Sequence, residues 1–182
     1  GHFDQAAALF ERTLADARLS PEVRAKALMG QGAIDIRRGE PARAQSRYAQ
    51  ALEVVQTMGD TGDPTLPGNA YNGLGVALVQ QGRVDEAVRD MGLARVAMQR
   101  SGNLIEAASV GTNLGIIELQ RHHYPQALQE FDRAIAVFER FGVADYLAAT
   151  LLAKARAQLD MVQPQAAAGR IRPATRDAVL DH

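Results

Sequence analysis

The sequence contains no cysteine and no tryptophan, and aromatic residues fill only 5% of its 182 positions. Without cysteine there is neither a disulfide framework nor a thiolate zinc site, and a cytosolic origin is favoured over a secreted one. Scarce aromatics and abundant Ala speak against a sheet, because strands prefer β-branched and aromatic residues while Ala and Leu are good helix formers. No apolar run approaches the ~20 residues that span a bilayer, and no signal peptide is visible. The formal net charge is −1, and no block of like charge stands out. Neither a basic field for nucleic acid nor an acidic tail is present. Arg outnumbers Lys 18 to 2, a bias expected of a GC-rich, bacterial gene. What the chain does have is 47% apolar residues, enough for a sizeable core in one domain.

An internal repeat organises those residues. Gly39, Gly82 and His122 serve as landmarks, 43 and 40 residues apart. Seven residues before each stands a glycine: Gly32, Gly75 and Gly115. Five, nine and twelve residues after each stand an Ala, a large side chain and another Ala: Ala44, Tyr48 and Ala51; Ala87, Met91 and Ala94; Ala127, Phe131 and Ala134. A second ruler, Gly59, Gly102 and Gly142, repeats the same unequal spacings of 43 and 40. The three additional residues fall in TGDPTLPG, residues 61–68, whose Gly and Pro content reads as a loop.

Helix packing explains the pattern. A Gly in the first helix of each unit and Ala in the second let two backbones approach, so that larger side chains interlock around them. A Gly after a helix takes the left-handed conformation that ends it. His122 replaces that Gly in the third unit, so its turn is expected to be strained or differently shaped. The spacing predicts helices over 3–18, 21–38, 41–58, 67–81, 84–101, 103–121, 124–141 and 144–161, then shorter ones at 164–171 and 174–180. Pro21, Pro41, Pro125 and Pro164 are expected at helix starts, where a missing N–H is harmless.

The segments GAIDIRRGEPARAQSRYAQA, GVALVQQGRVDEAVRDMGLA and GIIELQRHHYPQALQEFDRA share the spacing G-x6-G-x-[FYV]-x2-A-x3-[FYM]-x2-A. It resembles the tetratricopeptide repeat, with departures at Pro41, Gln31 and His122. Units of about 40 residues look like the long class found in kinesin light chains, bacterial peptide-pheromone receptors and the sensor regions of bacterial regulators. The resemblance implies an all-α fold, an α-solenoid of antiparallel helical hairpins with about eight to ten helices. It also implies a right-handed superhelix whose concave face, lined by the first helices, binds a protein or peptide. The expected organisation is a single repeat domain over 1–182: a half-repeat at 1–20, repeats at 21–60, 61–102 and 103–142, and a degenerate capping repeat at 143–182. The opening half-repeat reads as a piece of a longer bacterial signalling or regulatory protein.

The family register puts Lys26, Met29, Ala33 and Arg37 in the groove from the first unit, and Asn69, Asn72, Val76 and Gln80 from the second. Ser109, Thr112, Asn113, Ile116 and Gln120 follow from the third, and Leu152, Arg156 and Asp160 from the last. Asn is a poor residue for a helix interior, yet YNGLG and GTNLG place one just before an LG pair in two consecutive units. Asn both donates and accepts, so it can hold an extended peptide backbone; the alternative is that these Asn side chains cap or bridge neighbouring helices. Lys26, Arg37 and Arg156 are candidate partners for an acidic group or a C-terminal carboxylate. Met29, Val76 and Ile116 would supply apolar pockets. The paired Lys and Asn clamp of chaperone-binding relatives is not reproduced.

Signals for chemistry are weak. His122, His123 and Glu130 lack a further metal ligand at helical spacing, no Ser-His-Asp motif or phosphate loop is present, and Arg37, Arg38, Arg43 and Arg47 lack the aromatic neighbours of a nucleic-acid surface. Neither enzyme, cofactor, metal nor membrane is expected. Two further readings stay open. One is self-association through exposed terminal helices, where Phe3, Phe10 and Leu14 lack an obvious cover. The other is a small-molecule or pheromone sensor controlling an attached effector.

Overall fold

A computed structural model describes residues 2–167. Among them the chain is all-helical, an α-solenoid built from α1 (His2–Leu14), α2 (Pro21–Arg37), α3 (Pro41–Met58), α4 (Leu66–Gln80), α5 (Val84–Arg100), α6 (Leu104–Gln120), α7 (Tyr124–Phe141) and α8 (Ala144–Ala167), with a short 3-10 turn at Gly59–Thr61. Two compact units divide it, Gly1–Ala107 and Ala108–His182.

In the first unit α2 and α3 form one hairpin and α4 and α5 the next, with α1 packed on α2 and α3 on α4. Local chemistry sets the helix starts. The Ser20 hydroxyl accepts from the Val23 N–H at 3.3 Å, and Pro21 follows it at the first helical position. Such caps satisfy donors that have no partner inside the helix. The buried face of α3 consists of Ala44, Tyr48, Ala51, Leu52 and Val55, and that of α5 includes Ala87, Met91, Ala94 and Met98. In the second unit, α7 buries Ala127, Phe131, Ala134 and Phe138. Each of these stripes keeps the spacing of a helical face turned toward a core.

The glycines of the first helices meet the large residues that the repeat pairs with them. A side chain at Gly32 would come within 2.8 Å of the Tyr48 ring, one at Gly75 within 2.6 Å of Met91, and one at Gly115 within 2.6 Å of Phe131. Close approach is thus built into every hairpin at the same place. The hairpin turns also share one geometry. Gly39, Gly82 and His122 have φ of 73°, 74° and 60°. At Gly82 and His122 the turn N–H bonds the carbonyl three residues back and the next N–H reaches the carbonyl five back, all at 2.9 Å. This is the Schellman arrangement. His122 therefore keeps the glycine-type turn and carries the strain expected of a side chain there.

Two expectations are corrected. The first helix ends at Leu14 rather than at residue 18, because Asp16 organises a turn, accepting from the Arg18 N–H at 2.9 Å. The last described helix is continuous over Ala144–Ala167, so Pro164 lies inside it instead of opening a new one. So close to the helix end the ring removes one i→i−4 bond, a loss the final turn tolerates. The rest of the helix expected at 164–171, and the one at 174–180, lie outside the described residues.

Buried polar groups concentrate on α2. Gln31 and Asp35 are 6% and 4% exposed, and Gln31 Oε1 and Asp35 Oδ2 have no hydrogen-bond partner. Gln31 stands where the repeat usually carries Leu.

Candidate functional site

The orientation of α4 follows from its glycines. Gly73 faces Tyr48 of α3, whereas Gly68 and Gly75 face Met98 and Met91 of α5. At about 100° per residue, Asn69, Asn72, Val76 and Gln80 then fall on the arc between these two contact directions, on the side of α4 that carries none of its buried residues. Asn69 and Gln80 are exposed, and Asn72 and Val76 are half-buried. The side chains of Asn69 and Asn72 have no hydrogen bond among the described residues, and Asn72 Oδ1 is buried without a partner. They neither cap a helix nor bridge to a neighbour.

On α2 the corresponding stripe is more committed. Lys26 donates to Glu22 at 2.6 Å and lies 3.1 Å from Asp63. The Glu22 carboxylate, followed by that of Asp63, raises the Lys26 pKa above its ordinary value. Lys26 therefore staples α2 to the loop before α4. Met29 is half-buried against the clusters around Leu28, Ala25 and Ala44, so most of its side chain belongs to the core. Ala33 and Arg37 are exposed, and Arg37 already has a partner of its own.

In the second unit, the stripe on α6 divides in the same manner. Ser109 and Asn113 are half-buried and Ile116 is 37% exposed. Asn113 has no side-chain hydrogen bond among the described residues. Thr112 does: its hydroxyl lies 3.0 Å from that of Thr150 on α8, which is itself 1% exposed. Thr112 thus ties α6 to α8. Arg156 is exposed but holds both carboxylate oxygens of Asp160 at 2.9 Å, one helical turn away. Leu152 is 73% exposed.

Among the candidates, then, the three Asn side chains retain free hydrogen-bonding capacity, while Lys26, Thr112 and Arg156 spend theirs within the protein. Sequence reading overlooked Asp63. It accepts from the Thr65 N–H at 2.9 Å and from the Thr65 hydroxyl at 2.6 Å, and these two bonds, followed by Lys26, hold its carboxyl below the ordinary range. The D-x-T spacing ahead of a helix was the available signal.

At the turn of the second unit, His123 Nδ1 lies 2.7 Å from Glu118 and His122 Nδ1 lies 3.0 Å from the Tyr124 hydroxyl. The two imidazoles point to different partners. Among the described residues no group of three His, Cys, Asp or Glu is placed to hold a metal ion, and no helix is long and apolar enough to cross a membrane. The expected exposure at the N-terminal end is reduced. Phe10 packs on Gly30, and Leu14 packs on the cluster around Leu28; the Phe3 side chain lies outside the described ones.

Comparison with known proteins agrees with this architecture. A family model described as tetratricopeptide repeat matches residues 66–140. The crystal structure of BtubC (BKLC) from P. vanneervenii has a TM-score of 0.60 to this chain at 18% identity, covering 99% of this chain and 86% of that one. At that identity the likeness is one of fold. No curated protein matches the chain.

Proposed function

We propose that this chain binds a peptide or an extended protein segment along the open stripes of its first helices; the match of residues 66–140 to the tetratricopeptide repeat, which generally serves as a protein-interaction scaffold, supports this reading. One observation carries the reading: Asn72 on α4 and Asn113 on α6 stand two residues and one residue before the LG pairs of successive first helices, and neither side chain is used by the fold. An unpaired buried amide oxygen such as Asn72 Oδ1 is costly unless a partner arrives. The N–H of an extended backbone is such a partner, and an Asn beside it can accept and donate without regard to sequence. Val76 and Ile116, one turn further along their helices, offer apolar surface beside each Asn. The excess of Arg over Lys fits a bacterial origin, and the reading places the module in a regulatory protein, where it recruits a partner.

The test is the double variant Asn72→Ala/Asn113→Ala. Each lost bond is worth ~1 kcal/mol, so partner capture should weaken by about 30-fold in the double variant, while helicity and melting behaviour stay near those of the parent. Unchanged capture of the same partners would show that these Asn residues lie outside the binding surface.

A second reading, self-association, is favoured by α8. Leu151, Leu152 and Leu159 are 46%, 73% and 43% exposed and share one face at helical spacing. A concentration series in light scattering tests it. Dimerisation that Leu152→Glu abolishes supports this reading, and a monomer at every concentration removes it.

A further inference from the structure

The first unit holds a cavity of about 430 Å³ between α3 and α5, floored by α4. It is separate from the Asn stripe: Pro67 and Tyr71 line it, and at 3.6 residues per turn these positions lie roughly 150° round α4 from Asn69, Asn72 and Val76. Its outer wall is the loop insertion that makes this unit longer than the next, contributing Gly62, Asp63 and Pro64. The remaining surface is mainly apolar. Leu93 and Val96 of α5 border the cavity, and each is 44% exposed.

Two polar side chains of the wall are spent. Asp63 is shared between Thr65 and Lys26, which also fixes the loop in place. The Ser101 hydroxyl donates to the Met98 carbonyl at 3.0 Å. Arg100 also borders the cavity and has no hydrogen bond or ion pair among the described residues. The Tyr71 hydroxyl likewise has no hydrogen bond among the described residues. The result is a mainly apolar cavity with one uncommitted cation among the described residues.

We propose that this cavity binds a small apolar monocarboxylate, its chain or ring between Leu93, Val96, Val55 and Tyr71 and its carboxylate on the Arg100 guanidinium. The volume lies in the lower part of the range for small-molecule sites, about 300–1,000 Å³. The guanidinium fork matches a carboxylate in geometry as well as charge. A free acid places its one charged group on the Arg100 guanidinium and leaves the apolar side chains of the wall to its chain or ring. The site stands apart from the peptide-binding reading and survives its failure.

The experiment is a titration of isotopically labelled protein with octanoate, followed by amide NMR shifts. Octanoate should produce saturable shifts confined to residues near 58–64 and 93–101, with a Kd on the order of 1 mM, as expected of a ligand of about ten heavy atoms. Octanamide in place of octanoate, or Arg100→Gln in place of the parent, should each weaken binding about tenfold. Val96→Asp, at an exposed position that leaves the fold intact, should remove it. Shifts that do not saturate or that map elsewhere, or equal binding of octanoate and octanamide, overturn the proposal. So does N-acetyl-Leu-Phe free acid binding these residues more tightly than octanoate, because the site would then belong to a peptide chain end.

Discussion

The Tyr48 ring fills the space that a side chain at Gly73 would need, and it meets Gly32 in the same manner from its own hairpin. One ring, 7% exposed, is therefore wedged between α2 and α4, and the two glycines are the seats it rests in.

Replacing Gly73 tests this wedge. Ala is the better helix former by about 1 kcal/mol, but here its methyl group would overlap a ring with no room to move. Gly73→Ala should lower stability by about 1–3 kcal/mol. Gly92, in the interior of α5, faces open space, so Gly92→Ala should raise stability by about 0.5–1 kcal/mol. Opposite signs in chemical denaturation are the expected outcome; a gain at both sites would mean that Tyr48 does not occupy the seat.

His122 gives a second pair of opposite signs. Its φ of 60° is the left-handed region, where a non-glycine residue is strained. His122→Gly should stabilise the protein by about 0.5–1 kcal/mol, the gain being reduced by loss of the contact with Tyr124. Gly82→Ala, at φ 74° with no obstruction nearby, should destabilise by about 1 kcal/mol for the backbone reason alone. If His122→Gly proved less stable than the parent, the imidazole contact would outweigh the strain.

The loop staple predicts an acid dependence. Thr65 and then Lys26 hold the Asp63 pKa below its ordinary value of 3.8. A carboxyl depressed on folding contributes its full stability above the unfolded value and loses it as pH falls through the lower, folded one. The contribution is thus complete above about pH 4 and fades below it. Asp63→Asn should lower stability near neutral pH by about 1 kcal/mol, with the difference from the parent shrinking under acid. A difference that grew on acidification would contradict the assignment.

Most helix boundaries were legible because consecutive residues carry them. Pro21 and Pro41 open helices, Gly39 and Gly82 close them, and a repeat period read twice leaves little freedom. Reading failed where one local signal was given a fixed meaning. Pro164 was expected to start a helix, yet it lies within the last described turn of α8. Asp16 ended α1 earlier than apolar spacing suggested.

The candidate site was only partly legible. The sequence placed Asn72, Asn113, Lys26 and Thr112 on first helices, and the structure has them there. It did not reveal that Lys26 is held by Asp63 from a distant loop, or that Thr112 meets Thr150, 38 residues away. Nor did the loop insertion announce that it would wall a cavity beside Arg100. The sequence by itself determined the helical repeat, its turns and the pairing of glycines with large side chains, because these depend on backbone preference and short-range period. The tertiary structure decided which polar groups are spent and which remain free, because a hydrogen bond or ion pair belongs to two residues and its second member is brought close by packing alone.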